Sequence, residues 1–482
     1  MAPRHSRVTS PRDRILLVEP AFPYPSKSKN RASEVHKNFL PIGLLKLGAY
    51  HKSLGNDVAL VRGNLPDTDD GCDGPDLVLV TTLFTYWSKY VWEAVAHYRA
   101  LYPRAKILIG GIYATLLGDT DHFRACLRQY KARVFRGVHA RAEAFYPDYS
   151  LLAGTADYHA TRAMRGCIRR CDFCGTWRLE PERVDKSPEW LIRELRTVGK
   201  NKVIFYDNNF LANRRVGEIL LELALLRVNG RPVVFESQSG FDGRLLDKAP
   251  EMAELVKKAR FRNVRIAWDN SFDDAPSIRR QIDLLTSTGY SPKDLSVFIL
   301  YNYKVPYSEC LRKLEYCAKL GVQISDCRYR PLDALADNYR PFGLRDAKPG
   351  YYIHAVAGWT DQKVHDFRRR VREHNIWIRY AKDKGYAYDR RMEHWSAIHN
   401  TLKFFGLGRP PQMQEMETSP TWSKRIALLK RARAVCEKEG SRPDLSDLSY
   451  SALDTALRGL ANDGGLPQQQ FLFTAVKAAE GR

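Results

Sequence analysis

Three cysteines within eight residues are the part of this sequence best suited to chemistry. Cys167, Cys171 and Cys174 lie in the run GCIRRCDFC, which begins at Gly166. Thiolates this close together on one loop are typical ligands of a metal ion or an iron–sulfur cluster. A structural zinc ion takes four protein ligands, and no fourth Cys or His lies nearby at zinc-site spacing. Three thiolates therefore favour a 4Fe–4S cluster with one iron free for a small molecule, against the alternative of incidental cysteines.

The cysteine run directly follows the first of six predicted strands, which alternate with helical patterns. These short apolar runs cover residues 158–164, 202–206, 233–236, 264–268, 295–300 and 322–324. Such alternation predicts a partial or complete parallel barrel. In barrels of this kind the chemistry lies at the carboxyl ends of the strands. We therefore expect the cysteines at the mouth of the barrel.

The spacing C-x3-C-x-aromatic-C between a strand and a helix resembles the signature of the radical S-adenosylmethionine (SAM) superfamily. The resemblance implies that Cys167, Cys171 and Cys174 hold the cluster, and that the amino and carboxylate groups of SAM chelate the free iron. An electron from an external donor would then break a carbon–sulfur bond of SAM and give a 5'-deoxyadenosyl radical. The same resemblance implies that Phe173 packs beside the adenine.

Polar residues at the ends of the later strands are further candidates for contact with SAM. Asp207 and Asn208 lie in the run YDNNF, which resembles the Asp-Asp-x-Phe variant of the motif that binds the methionine amino group. The other candidates are Glu236, Gln238, Arg265, Asp269 and Asn302. Polar residues at strand ends also form ordinary turns. Arg265 lies inside a strand, where a buried guanidinium needs a carboxylate, either that of SAM or a neighbouring Asp or Glu.

A second series of strands precedes the barrel. Short apolar runs at 14–18, 57–61, 76–81 and 106–109 alternate with helical segments. This pattern is typical of a Rossmann-like, doubly wound α/β domain. Gly110-Gly111 lies at the rim where open parallel sheets bind ligands.

This region resembles the cobalamin-binding domain of one large radical SAM class, through the runs PIGLLKLG from Pro41 and IGGIYA from Ile109. It lacks the Asp-x-His-x-x-Gly loop that supplies a lower axial histidine to cobalt. By the resemblance, a cobalamin-like pocket would be lined by Thr82, Leu83, Tyr86, Gly110, Gly111 and Tyr113. Bulky aromatic residues at this edge could instead fill the pocket, which would make the domain vestigial.

The chain has 482 residues, which is too long for a single core. We predict a flexible basic tail over residues 1–13 and a Rossmann-like domain over 14–150. A radical SAM barrel is predicted over 151–345 and a mainly helical region over 346–482.

The formal net charge of +22 favours an anionic partner such as RNA, DNA or an acidic peptide, although a basic surface without a partner is equally compatible with it. Residues 365–395 combine arginines with aromatic rings, which suits phosphate contacts and base stacking. Their helical period also suits an amphipathic lid over the barrel. The residues concerned are Arg368, Arg369, Arg370, Arg372, Trp377, Arg379 and Tyr380.

Two further patterns concern the cellular setting. No run of about 18 apolar residues is present, so no membrane span is expected. The nine cysteines lack the even spacing of a disulfide framework, which favours a reducing cytoplasm. Cys310 and Cys317 share a predicted helix face and are expected in the core.

These patterns predict a radical SAM enzyme whose substrate the sequence does not identify. One predicted reaction is cobalamin-dependent methyl transfer to an unactivated carbon. An alternative keeps the radical without cobalamin and leads to rearrangement, cyclisation or epimerisation. A third possibility is a nucleic-acid-binding protein with a structural cluster, against which the missing fourth cysteine counts.

Overall fold

The computed structural model describes residues 12–24, 39–66, 74–340, 349–380, 398–407, 419–438 and 445. They form an α/β fold with an N-terminal parallel sheet, a partial barrel of parallel strands and a helical C-terminal part. The basic tail up to residue 11, Cys72 and residues 381–395 of the arginine-rich segment lie outside the described residues. The boundaries predicted between domains stay predictions.

The N-terminal sheet has five parallel strands in the order β2-β1-β3-β4-β5. The strands are β1 (Arg14–Glu19), β2 (Asp57–Arg62), β3 (Leu77–Thr82), β4 (Lys106–Gly111) and β5 (Arg133–Val134). The four predicted strands are confirmed. The two-residue β5 was not predicted because it has no apolar run of its own.

Helices cover both faces of this sheet, as a doubly wound fold requires. They are α1 (Ile42–Ser53), α2 (Ser88–Leu101), α3 (Ile112–Leu117), α4 (Asp121–Gln129) and α5 (Ala140–Glu143). Alternate residues of β1 point to opposite faces. Leu17 packs with Leu44 of α1, whereas Val18 packs with Val91 and Trp92 of α2.

All six predicted barrel strands are present, with shifted ends. Ten strands follow β5, namely β6 (His159–Thr161), β7 (Met164–Arg165), β8 (Val184–Asp185), β9 (Lys202–Phe205), β10 (Arg227–Val228), β11 (Arg231–Pro232), β12 (Val234–Ser237), β13 (Arg265–Trp268), β14 (Ser296–Tyr301) and β15 (Gln323–Arg328). Strands β6, β9 and β12 form one parallel sheet, and β13, β14 and β15 form another. A bridge between Phe241 and Ile266 joins the two sheets into a partial barrel.

Helices pack on the outside of these strands around one large apolar core. They are α6 (Thr176–Leu179), α7 (Pro188–Val198), α8 (Val216–Leu225), α9 (Gly243–Lys248), α10 (Glu251–Lys258), α11 (Ala275–Ser287) and α12 (Tyr307–Leu320). Cys310 and Cys317 of α12 are fully buried in this core, which confirms their predicted packing role.

The C-terminal part contains α13 (Asp361–Tyr380), helical residues 398–404 and α14 (Pro420–Lys438). Helix α13 packs against α12 and β15. Nothing among the described helices is long and apolar enough to cross a membrane.

The arginines of α13 are held by carboxylates of the chain itself. The ion pairs are Arg368–Asp326, Arg369–Asp366, Arg369–Glu373 and Arg370–Asp366. Arg379 donates to the side chain of Gln323 at 2.7 Å, and Trp377 packs against a C-terminal apolar cluster. Arg368 and Arg379 therefore join α13 to β15, whereas Arg369 and Arg370 pair with carboxylates of the same helix. A contact of this segment with nucleic acid stays a prediction.

Gly111 provides a test of the sheet edge, because its φ is 105° and a Cβ there would lie 2.4 Å from the backbone oxygen of Thr82. We expect Gly111→Ala to lower the free energy of unfolding by about 3 kcal/mol or more. The positive φ is unfavourable for alanine, and the added methyl group would overlap the Thr82 backbone oxygen. Gly137 is the matched control, with φ 84° and open space around its Cβ position. Gly137→Ala should cost about 1–2 kcal/mol in denaturant unfolding. Equal losses in the two variants would refute the close approach.

Candidate functional site

The cysteine loop, residues 166–174, leaves β7 at the barrel mouth and leads into α6. Cys167, Cys171 and Cys174 are free thiols, and all three are half-buried. The Cys174 amide donates to the Cys171 carbonyl at 3.0 Å and so closes a tight turn. Gly166 begins the loop with φ 74°, and a Cβ there would lie 2.6 Å from the Glu182 backbone oxygen. Glycine is therefore required where the loop starts.

Asp207 fixes the chain that leads into this loop. Its carboxylate follows β9 and accepts hydrogen bonds from the amides of Ala163, at 3.0 Å, and Met164, at 2.6 Å. Burial raises the pKa of Asp207 to about 6, although both amides oppose the shift. The side chain is fully buried. Asp207 therefore positions the chain that enters the loop, and its predicted contact with SAM stays a prediction.

Glu180 at the end of α6 holds the same chain from the other side. It accepts from the Gly166 amide at 2.9 Å, from Asn208 Nδ2 at 3.0 Å and from Arg162 at 2.5 Å, and it ion-pairs with Arg165. Burial raises the pKa of Glu180, but the charges of Arg162 and Arg165 outweigh it and hold the pKa below its usual range. No motif marks Glu180 in the sequence, and its role was missed.

This ion-pair network reaches into the N-terminal domain. Arg165 pairs with Glu143 of α5 at 2.5 Å, and Glu143 pairs with Lys46 of α1 at 3.1 Å. Lys46 is buried. A chain of alternating charges thus runs from α1 to the first residue of the cysteine loop.

The outer part of the loop is tied to the barrel. Arg169 pairs with Asp242 at 2.9 Å, and Asp242 also receives a hydrogen bond from Arg244 at 2.7 Å. Asp172 pairs with Lys304 at 2.5 Å. Arg165 and Arg169 are thus paired with carboxylates of the chain itself.

A cavity of about 590 Å³ opens beside Cys171. It lies between the cysteine loop and the ends of β13 and β14, and Phe173, Asp269, Tyr303 and Gln281 contribute to its lining. Phe173 and Tyr303 meet edge to face, with ring centroids 5.9 Å apart. The Gln281 side chain is 2% exposed, and its Oε1 has no hydrogen-bond partner among the described residues. The volume is in the range of small-molecule sites.

Charge in this cavity is mixed. Burial raises the pKa of Asp269 to about 6, against the lowering effect of Lys313 and Arg244. Burial also raises the pKa of Cys171, and the negative charges of Asp269, Cys174 and Cys167 raise it further. The three sulfurs and Asp269 are therefore electrostatic neighbours.

Two of the predicted SAM contacts bind each other. Arg265 donates to Glu236 at 2.6 Å and to the Ser237 carbonyl at 2.9 Å. Asn263 donates to the second carboxylate oxygen at 3.1 Å. The sequence predicted either the SAM carboxylate or a neighbouring Asp or Glu as the partner of Arg265. The structure shows a neighbouring carboxylate, that of Glu236.

The remaining predicted SAM contacts differ in accessibility. Gln238 is half-buried, and its Oε1 has no partner in the part of the chain that the structure describes. Asn302 is fully buried and binds the Tyr352 carbonyl at 2.8 Å and the His354 amide at 3.0 Å. Asn302 therefore joins the end of β14 to residues 352–354, and its predicted contact with SAM stays a prediction.

The residues predicted for a cobalamin-like pocket pack within their own domain. Thr82 accepts from the Ala114 amide at 3.1 Å, and the Tyr113 hydroxyl accepts from Trp92 at 3.1 Å. Both side chains are buried. Leu83 packs against the same apolar cluster, and Gly110 and Gly111 end β4 beneath the Phe135 and Thr82 backbones. Leu83, Tyr86, Gly110 and Gly111 are only partly buried. A cobalamin-like pocket at this edge stays a prediction.

The cysteine loop has a donor set that fits a 4Fe–4S cluster. Three thiolates on one loop are typical ligands of such a cluster. In the described residues, no three His, Cys, Asp or Glu side chains are placed to hold a single metal ion. A tetrahedral zinc ion would draw its thiolates to within about 4 Å of one another, whereas a cluster binds them at separate iron atoms.

A family model described as the Radical SAM superfamily matches residues 161–327. These residues include the cysteine loop and nearly all of the barrel strands, so this part of the chain is a radical SAM domain. The superfamily implies a 4Fe–4S cluster and SAM as cofactors. No curated protein matches the chain.

Solved structures of the cobalamin-dependent S-adenosylmethionine radical enzyme OxsB are similar at 10% identity, covering 97% of this chain and 84% of that chain. The TM-score is 0.47 for the form with aqua-cobalamin and 0.48 for the form with aqua-cobalamin and S-adenosylmethionine. Pyruvate carboxylase from Rhizobium etli matches at 11% identity, with coverages of 98% and 36% and a TM-score of 0.20. Similarity at this level does not define the activity of this chain.

Glu143 tests the charge network by its pH dependence. Burial raises the pKa of its carboxyl, but Lys46 and Arg165 outweigh burial and hold the pKa at about 2. A depressed carboxyl pKa stabilises the fold above the unfolded value near 4.5, and this stability is lost as the pH falls towards 2. Glu143→Gln should therefore cost on the order of 2–3 kcal/mol at neutral pH, and the difference should close between pH 4.5 and 2.

The control for this measurement is Glu222→Gln, which alters an exposed carboxylate of α8. Urea unfolding of both variants and the wild type across this pH range gives the comparison. A Glu143→Gln deficit that stayed constant with pH would contradict the proposed ion pairs.

Proposed function

We propose that Cys167, Cys171 and Cys174 hold a 4Fe–4S cluster and that the enzyme cleaves SAM reductively to form a 5'-deoxyadenosyl radical, which then abstracts hydrogen from a substrate. One observation carries this proposal. Three free, half-buried thiols lie on a loop held at the mouth of a radical SAM barrel, beside a cavity of about 590 Å³. Three thiolates leave one iron for SAM.

When bound, such a cluster passes one electron from an external donor to SAM, so that a carbon–sulfur bond breaks to give methionine and the 5'-deoxyadenosyl radical. The residues of this chain hold the loop while that happens. Asp207 and Glu180 bind its entry, and Asp242 binds Arg169 in its middle. The thiolates are thereby kept in one arrangement without relying on the bound group alone.

SAM would occupy the cavity beside Cys171. In this placement the Phe173 ring packs on the adenine, and Asp269 accepts hydrogen bonds from ribose hydroxyls. Asn208 and Gln238 remain proposed contacts at the ends of β9 and β12. Glu236 and Arg265 position the strand ends through their buried ion pair.

Among the predicted reactions, we favour radical chemistry without cobalamin, leading to rearrangement, cyclisation or epimerisation. Cobalamin-dependent methyl transfer would need a corrin at the N-terminal sheet edge, where Thr82 and Tyr113 are buried in their own core. A nucleic-acid-binding role is less well supported, because the arginines of α13 are paired with carboxylates. An anionic substrate stays a proposal that rests on the net charge of +22.

The cluster ligands can be tested by replacing Cys167, Cys171 and Cys174 together with alanine. After anaerobic reconstitution with iron and sulfide, the variant should lack the visible thiolate-to-iron absorption. With dithionite and SAM, its yield of 5'-deoxyadenosine by mass spectrometry should fall at least 100-fold. Cys126→Ala is the control, since Cys126 lies on α4 in the N-terminal domain. A full cluster signal in the triple variant would refute the assignment of these three cysteines as the cluster ligands.

The adenine placement can be tested with Phe173→Ala. Stacking of a base on an aromatic ring is worth about 1–3 kcal/mol, so the Kd for SAM should rise about 5- to 150-fold. Iron content should stay unchanged, because Phe173 is not a ligand. Phe173→Tyr keeps the ring and should bind SAM as the wild type does. Anaerobic equilibrium dialysis measures the three affinities, and an unchanged Kd in Phe173→Ala would place the adenine elsewhere.

A further inference from the structure

We infer that the carboxyl edge of the N-terminal sheet does not bind cobalamin, because the chain's own aromatic residues and the segment that leaves the barrel close the crevice there. This inference goes beyond the proposed function. Cobalamin binding can be measured whether or not the enzyme cleaves SAM.

The strand order fixes where a ligand of this sheet would sit. In an open parallel sheet of order 2-1-3-4-5, ligands bind outside the carboxyl ends of the strands, at the switch point between β1 and β3. Those two strands end at Glu19 and Thr82. The crevice in question therefore opens just beyond these two residues.

The β1 side of this crevice is filled by packed rings. Phe22 stacks on Trp87 with centroids 5.2 Å apart, and Tyr24 stacks on Phe39 at 5.1 Å. The Tyr24 hydroxyl donates to Glu19 at 2.6 Å, and Glu19 also pairs with Arg62. The polar group at the strand end is thus satisfied within the domain and does not await a ligand.

On the β3 side rings also pack on one another, and Phe84 keeps 44% of its surface exposed. Phe84 stacks on Tyr86 with centroids 5.0 Å apart and nearly parallel planes. The guanidinium of Arg330, which follows β15, lies 4.7 Å from the centroid of the Tyr86 ring. Such a cation–π contact is stronger where water is excluded. Arg330 therefore covers a face of the Tyr86 ring that would otherwise be available to a corrin.

Residues 330–337, here termed the exit strap, cross from the barrel to this edge. Ser88 at the start of α2 donates to the Leu335 carbonyl at 2.8 Å, and Leu335 packs into the apolar cluster beside the sheet. Asp337 pairs with both Arg328 and Arg330. The strap is therefore fixed at each end by buried or partly buried polar contacts.

The strap also reaches the cysteine loop. A Cβ on Gly175, directly after Cys174, would lie 3.5 Å from Leu332 of the strap and 3.7 Å from Leu116 of α3. Leu332 of the strap and Leu116 of α3 therefore both lie close to the residue that follows the cysteine loop. A corrin is a flat ring system far larger than an indole, and it would have to displace these side chains to reach the crevice. The N-terminal domain instead supports the loop through the strap and through the Lys46–Glu143–Arg165 chain.

The test uses the full-length protein, reconstituted anaerobically and incubated with excess hydroxocobalamin, then desalted. We expect no corrinoid to remain bound by visible absorption and mass spectrometry. Amide hydrogen exchange in residues 82–88 and 330–337 should be unchanged by hydroxocobalamin. The yield of 5'-deoxyadenosine should be the same with and without the corrinoid.

Retention of about one corrinoid per chain, or added exchange protection in either segment on addition of hydroxocobalamin, would overturn the inference. If no 5'-deoxyadenosine formed in either arm and no corrinoid bound, the proposed function would fail while the closed crevice would stand.

Discussion

A cluster held by three protein thiolates needs its loop to be held by something other than a fourth ligand. In this chain the support comes from three carboxylates, Glu180, Asp207 and Asp242, here termed the carboxylate clamp. Asp207 and Glu180 accept main-chain amides at the loop entry, and Asp242 pairs with Arg169. Each carboxylate is largely or fully buried, so each needs its hydrogen bonds to offset desolvation. The loop cannot move without leaving buried charge unpaired.

The clamp also explains how the two halves of the molecule depend on each other. Glu180 binds Arg165, and Arg165 binds Glu143, which is joined to Lys46 of the N-terminal helix α1. The exit strap makes the same connection from the other side through Leu332 and Leu335. A parallel sheet whose edge resembles a ligand site thus serves here as a support for the radical SAM loop.

Much of the fold was predictable because strands in parallel sheets are short apolar runs bounded by turn residues. All ten main strands and the position of the cysteine loop follow from that pattern. The direction of polar side chains was not predictable, because it depends on which residue faces the core. Asp207 and Asn302 have the residue types of ligand contacts, yet both are buried and bind the main chain.

The arginines of α13 show that ion pairs are equally difficult to predict from the sequence. Arg368 and Asp326 are 42 residues apart in the chain and adjacent in space, so no local pattern announces their pairing. The partner of Arg265 was within reach of reasoning, since a buried guanidinium requires a carboxylate and the neighbouring strand carries Glu236. Sequence patterns therefore located the site, whereas the structure was needed to show which of its charged side chains pair with one another.

The central claim is that three cysteines hold a 4Fe–4S cluster with one iron left to SAM. Mössbauer spectroscopy of protein reconstituted with isotopically enriched iron tests it most directly, by comparison of spectra with and without SAM. The account predicts a four-iron cluster in which one iron changes its spectrum when SAM is added and the other three do not. A spectrum of isolated iron ions, or of four iron atoms all indifferent to SAM, would contradict it.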